Sequence, residues 1–116
     1  MSFRSILLAA LSVASAALAQ IEQGSIVGMV TDPQKAPIAG ATVEFRSVAT
    51  NVKRDVATSG SGEFNSLPLQ PGRFVVTVRH DGFRERSVEV TLGVGQRLQV
   101  DFPLELGQVT EQVSVA

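Results

Sequence analysis

The stretch TSGSGEFNSLPLQPGRFVVTVR, residues 58–79, decides the fold of this chain of 116 residues. It contains two turn signals, Gly60-Ser61-Gly62 and Gln70-Pro71-Gly72-Arg73. Glycine adopts positive φ without a Cβ clash, and Pro-Gly at the two central positions is typical of a type II turn. Between the turns, Pro68 lacks an N–H, so the short segment Phe64–Leu67 ends there or lies at a sheet edge.

A regular strand follows the second turn. Phe74, Val76 and Val78 share one parity, whereas the residues between them share the other. Successive side chains of a strand point to opposite faces, so this pattern predicts one face built for a core. We therefore interpret residues 58–79 as the central hairpin of a small β-sandwich, in which the Pro71-Gly72 turn sets the register of the apolar face.

The rest of the chain repeats this pattern of alternating segments and turns, at intervals of about 8–12 residues. The predicted strands are Gly24–Asp32, Ala41–Val48, Val52–Thr58, Phe64–Leu67, Phe74–Arg79, Arg84–Leu92 and Gln96–Leu104. Short strands at this spacing are typical of sandwiches and barrels. The sequence therefore predicts an all-β fold, a seven-stranded Greek-key β-sandwich.

Individual positions refine this prediction. Gly28, inside the first strand, indicates a close backbone approach or a bulge. The third strand is mostly polar, and its charges suit an edge that must resist pairing with another chain. Inward parity is predicted for Phe45, Phe74 and Phe102, whereas Phe64 and Phe83 flank turns and are candidates for partial exposure.

The first residues have the pattern of a secretory signal peptide. Met1–Arg4 is a short positive start, Ile6–Leu18 is apolar, and Ala17-Leu18-Ala19 is a small-x-small cleavage pattern before Gln20. A membrane anchor or a buried helix is the alternative, but the run is shorter than the roughly 20 residues of a spanning helix. We expect cleavage between Ala19 and Gln20 and export to the periplasm, the outer membrane or the exterior, with no membrane span in the mature chain.

This signal divides the chain into three predicted parts: a signal peptide over residues 1–19, a sandwich domain over 20–106, and an extra strand or linker over 107–116. Removal of 19 of the 116 residues leaves 97, close to the roughly 100 of a two-sheet sandwich. Arg4 leaves with the signal, so nine basic residues remain against eleven acidic ones. This weakly acidic balance argues against nucleic acid as a partner. The chain has no Cys, so an apolar core must stabilise the fold and no lipid-modified Cys is available.

Groups that support catalysis are sparse. A zinc peptidase needs three protein ligands, but His80 is the one histidine and lies in a turn, where an exposed side chain is expected. Turn sequence also surrounds the serines, and the carboxylates share outward parity. These residues are Ser59, Ser61, Ser66, Glu44, Glu63, Glu85 and Glu89. We predict no catalytic, cofactor-binding or metal-binding residue and no cofactor.

Five pieces of the sequence occur in the order of a known family. They are Gly24–Asp32, Pro37–Val43, Thr58–Phe64, Leu69–Phe74 and Gly82-Phe83. Together they resemble the carboxypeptidase regulatory-like domain, a transthyretin-like sandwich whose superfamily includes starch-binding-like domains. The family usually has acidic residues where Ser59 and Ser61 stand here. The segment GQVTEQVSV, from residue 107, resembles the lead into the plug of TonB-dependent outer-membrane receptors.

The resemblance implies a non-catalytic folding or interaction module. We expect an exported domain that makes protein–protein contacts at the envelope, or that forms the N-terminal extension of an envelope receptor. An exposed edge such as Val52–Thr58, or the tail Val109–Val115, is suited to strand addition to an envelope partner. Two alternatives remain: a carbohydrate-binding module, for which the chain has neither Trp nor Tyr, and a domain associated with a carboxypeptidase.

Overall fold

The computed structural model describes residues 23–107, so the predicted signal, its Ala19–Gln20 cleavage point and the tail beyond Gly107 lie outside the described residues. Eight strands follow one another: β1 Ser25–Thr31, β2 Thr42–Ser47, β3 Lys53–Ala57, β4 Glu63–Asn65, β5 Gly72–Arg79, β6 Arg86–Leu92, β7 Arg97–Gln99 and β8 Phe102–Pro103. Residues 23–107 contain no helix long and apolar enough to cross a membrane.

The strands form two sheets that enclose one core. The long sheet has the order β3-β2-β5-β6 and is antiparallel throughout. In the short sheet, β1 pairs antiparallel with β4 and parallel with β7 and β8. The prediction of an all-β sandwich is confirmed.

Apolar residues of the predicted inward parity fill the space between the sheets. In β5, Phe74, Val76 and Val78 are at most 5% exposed, as their alternation predicts. The ring of Phe64, from the short sheet, lies 5.9 Å from that of Phe45 and 6.1 Å from that of Phe102. Phe64 is therefore a central core residue, and its expected partial exposure is wrong.

The predicted central hairpin is also wrong, because β4 and β5 belong to different sheets. The segment between them is a crossover in which Leu67 adopts a φ of 67°. Leu69 and Gly24 exchange two backbone hydrogen bonds: the Gly24 amide donates to Leu69 at 2.9 Å, and the Leu69 amide donates to Gly24 at 2.8 Å. The turn before β5 is not of type II either, since Gly72 has a φ of 148° rather than about 80°. Glycine is still required there, because side-chain-bearing residues rarely adopt this φ.

The last predicted strand, Gln96–Leu104, is divided into β7 and β8, so eight strands replace the expected seven. Both segments pair with β1 in one register, Val27 with Gln99 and Val30 with Phe102. At the break, a Cβ on Gly28 would overlap the Val100 carbonyl oxygen and lie 2.8 Å from the Phe64 ring. The close backbone approach predicted at Gly28 is confirmed.

Candidate functional site

The sequence singled out three groups of side chains for possible chemistry, and the fold keeps them apart. His80 lies after β5, partly buried rather than exposed, and its ring meets the Phe83 ring edge-on at 5.8 Å. Its Nδ1 is 3.1 Å from the carbonyl oxygen of the adjacent Asp81. An exposed side chain was expected, but His80 is only partly exposed. It lines a surface groove of about 510 Å³ rather than an enclosed site.

Two of the three serines support the turn before β4. The Ser59 hydroxyl oxygen accepts hydrogen bonds from the amides of Ser61 and Glu63, at 3.3 and 3.2 Å. Ser66 is different, because it is fully buried. It accepts from the Ile26 amide at 2.9 Å and donates to the Leu67 carbonyl oxygen at 2.7 Å. Ser66 therefore closes the crossover onto β1, a role that its turn-rich sequence did not indicate.

The carboxylates are dispersed or paired with arginines on outer faces. Glu44 pairs with Arg79 at 3.2 Å, and Glu89 pairs with Arg73 at 2.7 Å. Glu63 lies on the other sheet, in β4. Within residues 23–107, no three His, Cys, Asp or Glu side chains come together in a group that could hold a metal ion.

The aromatic rings are poorly placed for a sugar platform, which needs an exposed flat face. Phe64 is 4% exposed, and Phe83 is partly buried against the core. A groove of about 540 Å³ does cross the outer face of the short sheet, with Val27, Met29, Asn65 and Gln99 among its lining. Phe64 is the aromatic residue in that lining, and its ring faces the core.

The most distinctive surface of the described residues is the outer edge of β3. Strand β3 ends the long sheet and pairs on one side only, with β2. The edge position predicted for this strand is confirmed. Apart from Val56, its residues are exposed.

The backbone groups at this edge can be assigned from neighbouring hydrogen bonds. The Ser47 amide donates to Val52, and the Thr58 amide donates to Ala41, each at 2.9 Å. In an antiparallel pair, hydrogen-bonded and non-hydrogen-bonded positions alternate. Val52, Arg54, Val56 and Thr58 therefore direct their backbone groups toward β2, whereas Lys53, Asp55 and Ala57 direct theirs outward.

Arg54 stabilises this edge against the crossover. Its Nη1 donates to the carbonyl oxygens of Ser66 and Pro68, at 2.9 Å each. These two hydrogen bonds join the edge of the long sheet to the crossover segment that leads out of the short sheet. An apolar groove of about 420 Å³ lies beside it, with Val52, Leu69 and Phe74 in its lining. The polar composition of β3 indicated an edge but gave no signal for this contact, which depends on how the two sheets face each other.

Comparison with known proteins places the chain in a family. The model of the carboxypeptidase regulatory-like domain matches residues 25–105. The carboxypeptidase N catalytic chain of Rattus norvegicus is 34% identical over 88 residues, which cover 76% of this chain and 18% of that protein. The chain thus spans less than a fifth of the length of this curated relative.

Solved structures share the fold at low sequence identity. The catechol 1,2-dioxygenase of Acinetobacter radioresistens, as its A72G mutant, matches with a TM-score of 0.63 and 12% identity, over 84% of this chain and 56% of that one. The minor pilin GBS52 of Streptococcus agalactiae matches with a TM-score of 0.61 and 14% identity, over 74% and 45%. At this identity the likeness concerns the sandwich alone, whereas the match over residues 25–105 shows that the chain belongs to the carboxypeptidase regulatory-like domain family.

Proposed function

We propose that this chain is an exported, non-catalytic β-sandwich module that acts by binding another protein at the cell envelope. The observation that carries the proposal is the open edge of β3, where Lys53, Asp55 and Ala57 direct backbone groups outward. An extended segment of a partner can add to such an edge through main-chain hydrogen bonds, while side-chain pairs supply specificity.

The edge of β3 is better suited to this role than the other edge of the long sheet. Beside β6, the Arg84 amide donates to the Glu105 carbonyl oxygen at 2.8 Å. The guanidinium of Arg86, the first residue of β6, donates through Nη1 to the Pro103 carbonyl oxygen at 3.3 Å. Residues 103–106 therefore cover the segment that leads into β6, whereas none of the described strands lies along the outer side of β3.

Export is proposed from the first 19 residues, whose positive start, apolar run and Ala17-Leu18-Ala19 pattern are those of a signal peptide. The destination is the periplasm, the outer membrane or the exterior. A non-catalytic role is supported by the dispersal of His80, the serines and the carboxylates. Membership of a regulatory-like family supports it further.

A second candidate function is an accessory domain beside a separate catalytic or receptor unit. The observation that favours it is the match to one region, 18% of the length, of a carboxypeptidase N catalytic chain. If this is its function, a peptidase or an outer-membrane receptor from the same cells should co-purify with this chain. Carbohydrate binding is less well supported, because Phe64 is buried in the core and Phe83, which lines the groove beside His80, is itself partly buried. Titration with starch and cell-wall glycans at millimolar concentration tests it directly.

The proposed function can be tested by cross-linking the exported protein in its own cells and comparing Asp55→Pro with Asp55→Ala. The Asp55 amide points away from β2, so proline removes no bond of the β2–β3 ladder but blocks an added strand. We expect Asp55→Ala to cross-link to the same envelope proteins as the wild type, and Asp55→Pro to lose them. Equal capture by both variants, with both folded, would exclude the β3 edge as the binding surface.

A further inference from the structure

We propose that β3 pairs with the β3 strand of a second copy of this chain, antiparallel and about a two-fold axis at Arg54. The two long sheets would then form one continuous sheet of eight strands. This inference rests on the proposed use of the β3 edge for strand addition, and it names one partner for that edge. The evidence lies in the backbone directions and the charge order of residues 52–56.

The residues around the axis form a self-complementary series, Val52-Lys53-Arg54-Asp55-Val56. With Arg54 on the axis, Lys53 lies opposite Asp55 of the second copy, and Asp55 lies opposite Lys53 of that copy. Opposite charges directly across an antiparallel pair are stabilising. Val52 lies opposite Val56 of the second copy in the same way, so an apolar residue faces an apolar residue at both ends of the series.

The backbone supports the same register. Lys53 and Asp55 direct their amide and carbonyl groups outward, so each Lys53–Asp55 pair across the axis falls at a hydrogen-bonded position. Two such pairs exchange two hydrogen bonds each. Shifting the axis to Asp55 places Asp55 opposite itself, and shifting it to Lys53 places Lys53 opposite itself. Like charges directly opposite are destabilising, which disfavours both alternatives.

Directly opposite on β2, each of these two charges has a residue of the same sign. The β2–β3 register places Lys53 opposite Arg46 and Asp55 opposite Glu44. The carboxylate of Glu44 already pairs with Arg79, at 3.2 Å. A second β3 strand would supply opposite charges on the open side, so the charges that reject an unrelated strand are complementary to this one.

The two copies of Arg54, which lie opposite each other on the axis, are the one like-charged pair in this arrangement. Each guanidinium already donates to two carbonyl oxygens of its own chain, those of Ser66 and Pro68, at 2.9 Å. The charge is thereby held at the crossover by acceptors that remain available in the dimer. Val52, which is 66% exposed, would become covered in the same step.

Charge-swap variants of the full mature chain test the pairing, with sedimentation equilibrium at concentrations up to about 1 mM as the readout, since weak association lies in this range. Lys53→Asp places Asp opposite Asp, and Asp55→Lys places Lys opposite Lys. Each single variant is expected to weaken dimerisation about tenfold or more, because two favourable pairs become repulsive. The double variant K53D/D55K restores opposite charges at both pairs without changing net charge, so the wild-type dimer constant is expected to return.

A cysteine on the axis gives an independent readout, because the natural chain has none. A non-hydrogen-bonded antiparallel pair has a Cα separation of about 4.5 Å, within the range that a disulfide spans. Arg54→Cys is therefore expected to form a disulfide dimer on mild oxidation. Val94→Cys, at a position 70% exposed on a turn, controls for random collision and should remain largely monomeric.

The outcomes separate this inference from the proposed function. A wild-type monomer at every concentration, or a dimer that the single swaps leave intact or the double swap fails to restore, overturns the pairing. An Arg54→Cys variant that folds but oxidises no faster than Val94→Cys also overturns it. If envelope proteins still depend on the β3 edge in cells, the proposed function survives that result. A swap-sensitive dimer without any envelope partner would support self-pairing and contradict envelope-partner binding.

Discussion

The amide of Met29 donates a hydrogen bond of 3.1 Å to Oδ1 of Asp101, a side chain 72 positions further along the chain. The bond lies at the break between β7 and β8, where the parallel pairing with β1 is interrupted although its register continues. The Val100 carbonyl oxygen is turned into the space that a Cβ on Gly28 would fill. The Asp101 carboxylate therefore takes the place of a backbone acceptor.

Removal of this acceptor should destabilise the domain modestly. We expect Asp101→Ala to lower the free energy of unfolding by about 0.5–1.5 kcal/mol, the usual net value of one hydrogen bond. Asp101→Asn keeps a side-chain oxygen and should recover most of the loss. Urea unfolding of the three proteins provides the measurement, and an Asp101→Ala variant as stable as the wild type would show that water replaces the carboxylate.

Replacement of the glycine at position 28 should destabilise the domain far more than replacement of a glycine in an open turn. A Cβ at Gly28 meets backbone and the Phe64 ring, neither of which can move freely, whereas a Cβ at Gly60 meets nothing within 4 Å. We expect Gly28→Ala to cost about 1–3 kcal/mol or more, as overpacking does. Gly60→Ala should change stability by less than about 0.5 kcal/mol. Equal costs in thermal unfolding would contradict the close approach.

The buried hydroxyl of Ser66 should outweigh that of an exposed serine in a nearby turn. Ser66→Ala leaves the Ile26 amide without its side-chain acceptor inside the core, at an expected cost of about 1–3 kcal/mol. Ser61→Ala changes an exposed turn and is expected to cost less than about 0.5 kcal/mol. Chemical denaturation of both variants distinguishes the two roles. A neutral Ser66→Ala would mean that the crossover closes without this bond.

Truncation of Phe74 tests the parity of β5. The side chain is 5% exposed, and Phe74→Ala removes a large buried ring, which typically costs about 3–5 kcal/mol. Val94→Ala, at a position that is 70% exposed, is the matched surface control and should stay within about 0.5 kcal/mol of the wild type. A loss below about 1 kcal/mol for Phe74→Ala would be too small for a core position.

Local pattern was enough to predict which faces are buried. Alternation in β2 and β5 correctly predicted Phe45, Phe74, Val76 and Val78 as core residues, because side-chain direction along a strand has a fixed period of two. The polar composition of β3 correctly indicated an edge, since an exposed strand gains nothing from apolar side chains. No comparable local signal marked Ser66 or Arg54, whose hydrogen bonds depend on the arrangement of distant segments.

The sequence by itself determined the all-β class and the inward faces of β2 and β5, because these follow from the chemistry of neighbouring residues. Only the tertiary structure decided that residues 58–79 cross between sheets rather than form a hairpin. Either arrangement satisfies the alternation of Phe74, Val76 and Val78. The choice depends on long-range contacts: β4 pairs with β1, Ser66 and Leu69 bond to the first strand, and the Phe64 ring fills the core between Phe45 and Phe102.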